Sequence, residues 1–199
     1  MSKYLQPVHH KLSGFTLVEM VVSISIIVMI TALFIANYHS TDRRTDLVMA
    51  AQNLVADLHL AQNNTLGLVK YNDAVPEGGW GISLNASSSS YTLFADLDQP
   101  PYSTSGYMQY DPSVEGNVRY GARVTQLPSQ IQIVELKTAS GALNQRVNVT
   151  FLPPDPQTNI YRVDAGATST SLEIKLKETQ NNTTKTVRVN FLGLAEVVD

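Results

Sequence analysis

Hydrophobic residues follow three different rhythms along this chain, each predicting a different kind of element. The first is an almost unbroken apolar run. From Phe15 to Tyr38 there are 24 residues and a single charge, Glu19. At 1.5 Å per residue a helix of that length reaches roughly 36 Å, enough to cross a hydrocarbon layer of about 30 Å. The second rhythm is helical. Leu47, Ala51, Leu54, Leu58, Ala61 and Thr65 recur at 4-3-4-3-4 spacing, while Asp42, Arg43, Arg44, Asp46, Asn53 and Asp57 fall largely on other faces. No glycine lies between Gly14 and Gly67, and no proline lies from Val8 to Val75. Helix breakers are therefore absent, and one continuous helix from about Phe15 to Thr65 is predicted. Its first half is uniformly apolar and its second half is amphipathic.

The third rhythm, from Trp80 onward, is that of strands. Trp80–Asn85 and Tyr91–Leu97 flank the polar stretch Ala86–Ser90 and read as a hairpin, followed by strands over Val118–Thr125 and Gln130–Leu136. Val147/Val149/Phe151, Leu172/Ile174/Leu176 and Val187/Val189/Phe191 alternate with period two, which predicts strands with one buried face. Gln180-Asn181-Asn182-Thr183 reads as the turn between the last two. Pro153-Pro154-Asp155-Pro156 breaks the sheet. The expected fold class is α+β: a long N-terminal helix whose second half packs on an antiparallel sheet, or on two small sheets.

The start of the apolar run carries the candidate chemistry. Ser13-Gly14-Phe15-Thr16-Leu17-Val18-Glu19-Met20 opens it, preceded by a leader holding Lys3, Lys11, His9 and His10 and no acid. Glu19 at the mouth of a span is costly, since a carboxylate at the bilayer centre costs at least about 2.5 kcal/mol, and such residues usually mark function. A secretory signal would have an apolar core of about 7–15 residues and a small-x-small cleavage site. This run is longer, and Phe34-Ile35-Ala36-Asn37-Tyr38 offers no such site. A generic anchor accounts for the length but not for Gly-Phe-Thr-Leu-Val-Glu.

These residues resemble the prepilin leader and cleavage motif of type IV pilins and type II secretion pseudopilins. In that family a membrane-embedded aspartyl peptidase cuts after the glycine and methylates the new N-terminus. The resemblance implies cleavage between Gly14 and Phe15, N-methylation of Phe15, and an assembly role for Glu19. It divides the chain into a leader (1–14), a transmembrane and assembly half-helix (15–41) and an extracytoplasmic pilin-like domain (42–199). Helix first and sheets after resembles H-type minor pseudopilins and related minor pilins. The carriers are Arg44–Leu54 and the ending Val187-Arg188-Val189-Asn190-Phe191-Leu192-Gly193. The implied partners are the prepilin peptidase/methyltransferase, other pilins or pseudopilins, an inner-membrane assembly platform and membrane lipid. Many type IV pilins carry a proline within the first half of this helix, and this chain has none.

The physical logic of the motif can be stated on its own. Once cut, Phe15 carries an ammonium, and Glu19 follows four residues on, on the same helix face. Methylation keeps the amine positive. In a bundle of such helices, Glu19 of one subunit can neutralise the Phe15 ammonium of a neighbour. A misregistered neighbour would leave a buried charge unpaired at a cost of several kcal/mol. The pair therefore sets axial register.

Charge narrows the setting. The leader holds two of the 14 basic residues and none of the 17 acidic ones, so the mature part would carry a net −5. That balance argues against nucleic acid as a main partner, because phosphate binding needs clustered Lys and Arg. The acidic ending Leu194-Ala195-Glu196-Val197-Val198-Asp199 points the same way, and in the β region Arg119 and Arg123 are the nearest approach to a basic pair. Lys3 and Lys11 predict a single-pass membrane protein with its N-terminus in the cytoplasm and its bulk outside, and the resemblance implies that the membrane is the inner one. Cysteine is absent, which removes disulfides and thiol chemistry.

No catalytic constellation stands out, and the chain is not expected to be an enzyme. His39 and His59 lack spaced metal-ligand partners, no histidine falls in the β region, and no Gly-x-Ser-x-Gly elbow occurs. No cofactor is expected. Asp96, Asp98, Asp111 and Glu115 gather in one loop region whose spacing departs from an EF-hand, so a solvated, turn-rich loop is expected rather than a calcium site. The rival to a filament subunit is a membrane-tethered extracytoplasmic binding module that never polymerises. Phe15 with Glu19 discriminates the two, because a static tether needs neither.

Overall fold

The structure is a computed structural model that describes residues 14–71, 73–96, 110, 123–143, 145–153 and 157–198, without the side chains of 36–42 and 143. The leader residues 1–13 lie outside it, as do Asp98, Asp111, Glu115 and Arg119. The chain divides into two compact units, Met1–Thr41 and Asp42–Asp199.

The helix α1 runs Leu17–Leu66. Within the first unit, the stretch Leu17–Ile35 has a mean hydropathy of 2.5, contains no buried residue, and is long and apolar enough to cross a membrane. Two of its hydroxyl residues satisfy themselves: Ser25 Oγ donates to the Val21 carbonyl at 2.8 Å and Thr31 Oγ1 to the Ile27 carbonyl at 2.7 Å. Neither then leaves a bare hydroxyl on the apolar stretch.

The end of α1 is a Schellman turn. Val69 N–H donates to the Asn64 carbonyl and Leu68 N–H to the Thr65 carbonyl. The left-handed position is taken by Leu68 (φ 49°), one residue after Gly67.

In the second unit the helical stripe is fully buried: Leu47, Ala51, Leu54, Leu58, Ala61 and Thr65 are all shielded from solvent. The apolar members share one core with Ile82, Val149, Ile174 and Val187. Those four come from two sheets, both antiparallel throughout. The strands are β1 (Gly79–Asn85), β2 (Ser90–Asp96), β3 (Arg123–Gln126), β4 (Ile131–Thr138), β5 (Gly141–Leu143) and β6 (Arg146–Leu152). They continue as β7 (Gln157–Arg162), β8 (Ala167–Ser169), β9 (Ser171–Glu178), β10 (Thr184–Asn190) and β11 (Ala195–Val198). The first sheet has the order β3-β2-β1-β6-β7-β8 and the second β11-β10-β9-β4-β5. Ser88, in the β1–β2 turn, bridges to Ile133 of β4 and joins the two sheets.

The α+β class is as expected, with two sheets. Of the strand expected over Val118–Thr125, the part from Arg123 is observed, in Arg123–Gln126, and 118–122 lie outside the described residues. Three details correct the sequence reading. Phe191 does not continue the β10 stripe. It is 56% exposed, because the chain turns after Asn190, whose side-chain Oδ1 accepts the N–H groups of Leu192 and Leu194. The strand β6 is buried on both faces, with Asn148 and Thr150 as shielded as Val147 and Val149. One covering group on that second face is Tyr110, whose ring lies 5.5 Å from Phe94 and whose carbonyl accepts from Arg146 at 3.2 Å. Asp57 leaves the solvated helix face and is part of a buried-edge cluster described below. The strands β5, β7, β8 and β11 are additions to the pattern that alternation predicts.

Gly79 and Gly193 hold positive-φ backbone, and Gly79 is also closely packed against backbone. Gly79 (φ +83°) enters β1 so near β6 that an added Cβ would lie 1.8 Å from the Phe151 carbonyl oxygen. Gly193 (φ +81°) lets the turn after β10 fold onto the helix, where a Cβ would meet Gln62 Nε2 at 2.7 Å.

Candidate functional site

Gly14, Phe15 and Thr16 precede the helix in irregular backbone. Gly14 is open, with no heavy atom near its would-be Cβ, and Phe15 is 82% exposed. The helix begins immediately afterwards because Thr16 caps it. Thr16 Oγ1 accepts the Glu19 N–H at 3.2 Å, and Glu19 Oε2 accepts both the Thr16 N–H and the Thr16 hydroxyl, each at 3.0 Å. This is the reciprocal capping box of a Thr-x-x-Glu sequence. It satisfies leading backbone N–H groups that no helical carbonyl can reach, and it places a negative group where the helix dipole favours one. Glu19 Oε1 makes no hydrogen bond among the described residues. The carboxylate thus has one oxygen engaged within its own chain and one left over.

Of the sequence-derived site residues, Gly14 and Phe15 stand side by side in an accessible segment, and Glu19 sits one turn into the helix. Thr16 joins them as a functional candidate that sequence reasoning missed. Its signal was legible, since a threonine three residues before a glutamate at the head of an apolar run is a helix-start signature.

A second polar cluster lies where the helix meets the edge of the first sheet. Asp57 accepts the Tyr91 hydroxyl at 2.9 Å, pairs with the Arg123 guanidinium and lies 3.4 Å from Thr125 Oγ1. Burial, and then the Asp57 carboxylate it donates to, push the Tyr91 phenol well above the usual tyrosine range. Arg123 is therefore part of an intramolecular ion pair. Arg119 lies outside the described residues.

A third group closes the far end of β9. Glu178 continues the core stripe of Leu172, Ile174 and Leu176 and is buried. Burial opposes its ionisation, but the N–H groups of Gln180 and Asn181, at 2.8 and 2.7 Å, and the nearby Arg43 charge hold its carboxyl below the usual glutamate range. Glu135 is lowered too, by Lys175 across the exposed face of the second sheet.

Asp96, from the acidic loop region, is fully buried at the end of β2. Among the described residues no group of three His, Cys, Asp or Glu side chains converges as a metal site would require. His59 is half-buried on the helix. The side chain of Asn148 is buried with neither its oxygen nor its nitrogen hydrogen-bonded among the described residues.

Fold and site together define an α+β protein with, among the described residues, one helical segment long and apolar enough to span a membrane and an accessible, capped helix start. Compared with protein-family models, with curated proteins and with solved structures, the chain matches none.

Proposed function

We propose that this chain is a minor pilin or pseudopilin, a structural subunit of a type IV pilus or type II secretion pseudopilus-like filament. It inserts into the inner membrane with its N-terminus in the cytoplasm. A prepilin peptidase cuts it between Gly14 and Phe15, the new Phe15 amine is methylated, and the subunit enters the filament through its helix. One observation carries the reading. An exposed Gly14–Phe15 bond stands directly before a capped helix whose first stretch, Leu17–Ile35, is apolar with Glu19 as its single charge. The second unit supports it, since a domain built on an amphipathic half-helix sealed by antiparallel sheets is what the resemblance to pilins implies.

The test is the mass of the mature N-terminus. Protein extracted from membranes of cells that contain the peptidase should lack residues 1–14 and carry one added methyl group on Phe15. An intact Met1 terminus in those cells would overturn the reading.

A second reading has one observation in its favour. The capping box gives Glu19 a local task, starting the helix, that a simple tether would also use. In that case the chain is a membrane-tethered extracytoplasmic binding module that does not polymerise.

A further inference from the structure

The helix starts at Leu17, leaving Gly14, Phe15 and Thr16 outside it. What stops it there is the capping box: the Thr16 backbone is held out of helical geometry while its hydroxyl and its N–H are both tied to Glu19. We propose that Thr16 is a positioning residue for processing, because the cap it forms keeps the Gly14–Phe15 bond non-helical and open to the peptidase. The inference rests on the reading that this bond is the one cut.

The chemistry explains why the boundary matters. Hydrolysis breaks the amide between Gly14 and Phe15: water gives its hydroxyl to the Gly14 carbonyl carbon and a proton to the Phe15 nitrogen, which leaves as the new amine. A protease reaches such a carbonyl most readily in an extended segment, whose backbone N–H and C=O groups are free to pair with the enzyme. Inside a helix the same groups point along the axis and the side chains crowd around them. Gly14 and Phe15 have the open surroundings this requires.

Removal of the cap should move the helix start upstream. The first four N–H groups of a helix need acceptors, and next to an apolar span they find little water. Extending the helix towards the polar leader carries them to solvent, and Ser13 supplies the next cap-forming residue type, three positions before Thr16. The scissile bond would then lie in the first turn.

The experiment follows conversion of the full-length chain to the form beginning at Phe15, by pulse-chase in cells with and without the peptidase. Thr16→Ser, which keeps the hydroxyl, should convert at close to the wild-type rate. Glu19→Gln, whose amide oxygen can still accept from Thr16, should do so too. Thr16→Val, which keeps the shape and loses the hydroxyl, should slow about five-fold, the Boltzmann equivalent of the ~1 kcal/mol an N-cap side chain contributes. Wild-type-like or faster conversion of Thr16→Val overturns the proposal. Equal slowing of Glu19→Gln and Thr16→Val also overturns it, since charge rather than the cap would then be the determinant. If wild type itself stays uncut, the underlying reading fails, which is a separate result. An independent readout is the Gly14 and Phe15 ¹³Cα shifts of the full-length chain in detergent micelles. They should move towards helical values in Thr16→Val and not in Thr16→Ser, and unchanged shifts would refute the upstream extension.

Discussion

At the scale of single residues, the side chains that decide this structure are polar ones placed among apolar neighbours. Thr65 ends the buried helical stripe, yet its hydroxyl is a junction. It lies 3.0 Å from the Phe151 carbonyl and 3.1 Å from the Ala61 carbonyl, and it accepts the Trp80 N–H at 3.1 Å. One atom thus ties the helix to β1 and β6. Thr65→Val keeps volume and burial but leaves the Trp80 N–H bare in the core. Unsatisfied buried donors cost about 1–3 kcal/mol, and a loss of that size should be read from urea unfolding of the fragment 42–199. A loss below about 0.5 kcal/mol, the range of ordinary surface changes, would mean that the Trp80 N–H finds another acceptor.

Glu178 makes a second residue-level prediction, through pH. Its folded-state carboxyl is held below the ordinary glutamate value of 4.5. The stabilisation is therefore complete above that value and is lost as pH falls through the depressed folded value, where the folded state must take up a proton. Glu178→Gln should flatten the acid limb of the stability profile below about pH 4.5 while leaving its shape near neutral pH unchanged. An identical acid limb in wild type and variant would show that the two turn N–H groups do not act on the Glu178 charge.

At the scale of elements, the helix from Asp42 onward is an integral wall of the domain. Leu47, Leu54 and Leu58 are fully buried in the shared core. Each buried leucine contributes roughly 1.5–3 kcal/mol, so three approach the 5–15 kcal/mol that stabilises a typical domain. Residues 42–199 should fold as a soluble monomer with a cooperative thermal transition. Residues 71–199 should aggregate or melt without one, and equal thermal stability of the two would show that the helix does not seal the sheets. The edge cluster of Asp57, Tyr91 and Arg123 adds a polar latch to the same wall.

At the scale of the whole molecule, the choice is between polymer and tether, and Glu19 separates them. Glu19→Gln keeps the capping acceptor and removes only the charge. A filament subunit carrying it should still be inserted and cut, yet crosslink several-fold less near position 19 to other subunits, because the neighbour's Phe15 ammonium loses its partner. An unpaired buried charge costs several kcal/mol, so a several-fold loss is the least that the missing partner predicts. Equal recruitment of wild type and variant would favour the tether.

Elements whose signals are local and repeated are legible in the order of residues alone. The apolar run, the absence of breakers and the 4-3 stripe from Leu47 to Thr65 define the helix almost to the residue. Period-two alternation finds β9 and most of β10, and the polar stretch Ala86–Ser90 finds the β1–β2 hairpin. The capping box is equally legible, since its two partners lie three residues apart. Short edge strands such as β5, β8 and β11 are not, because so few residues carry no measurable period and are strands only by virtue of the neighbour they pair with. Packing between distant elements is what buries Asn148 and Thr150, since alternation along β6 predicts one wet face and only what lies across the sheet can dry the other. Packing is also what joins Asp57 to Arg123 and Tyr91, partners far away in the chain. Local order sets which way a side chain points within its element, but what it then meets is set by the other elements packed there.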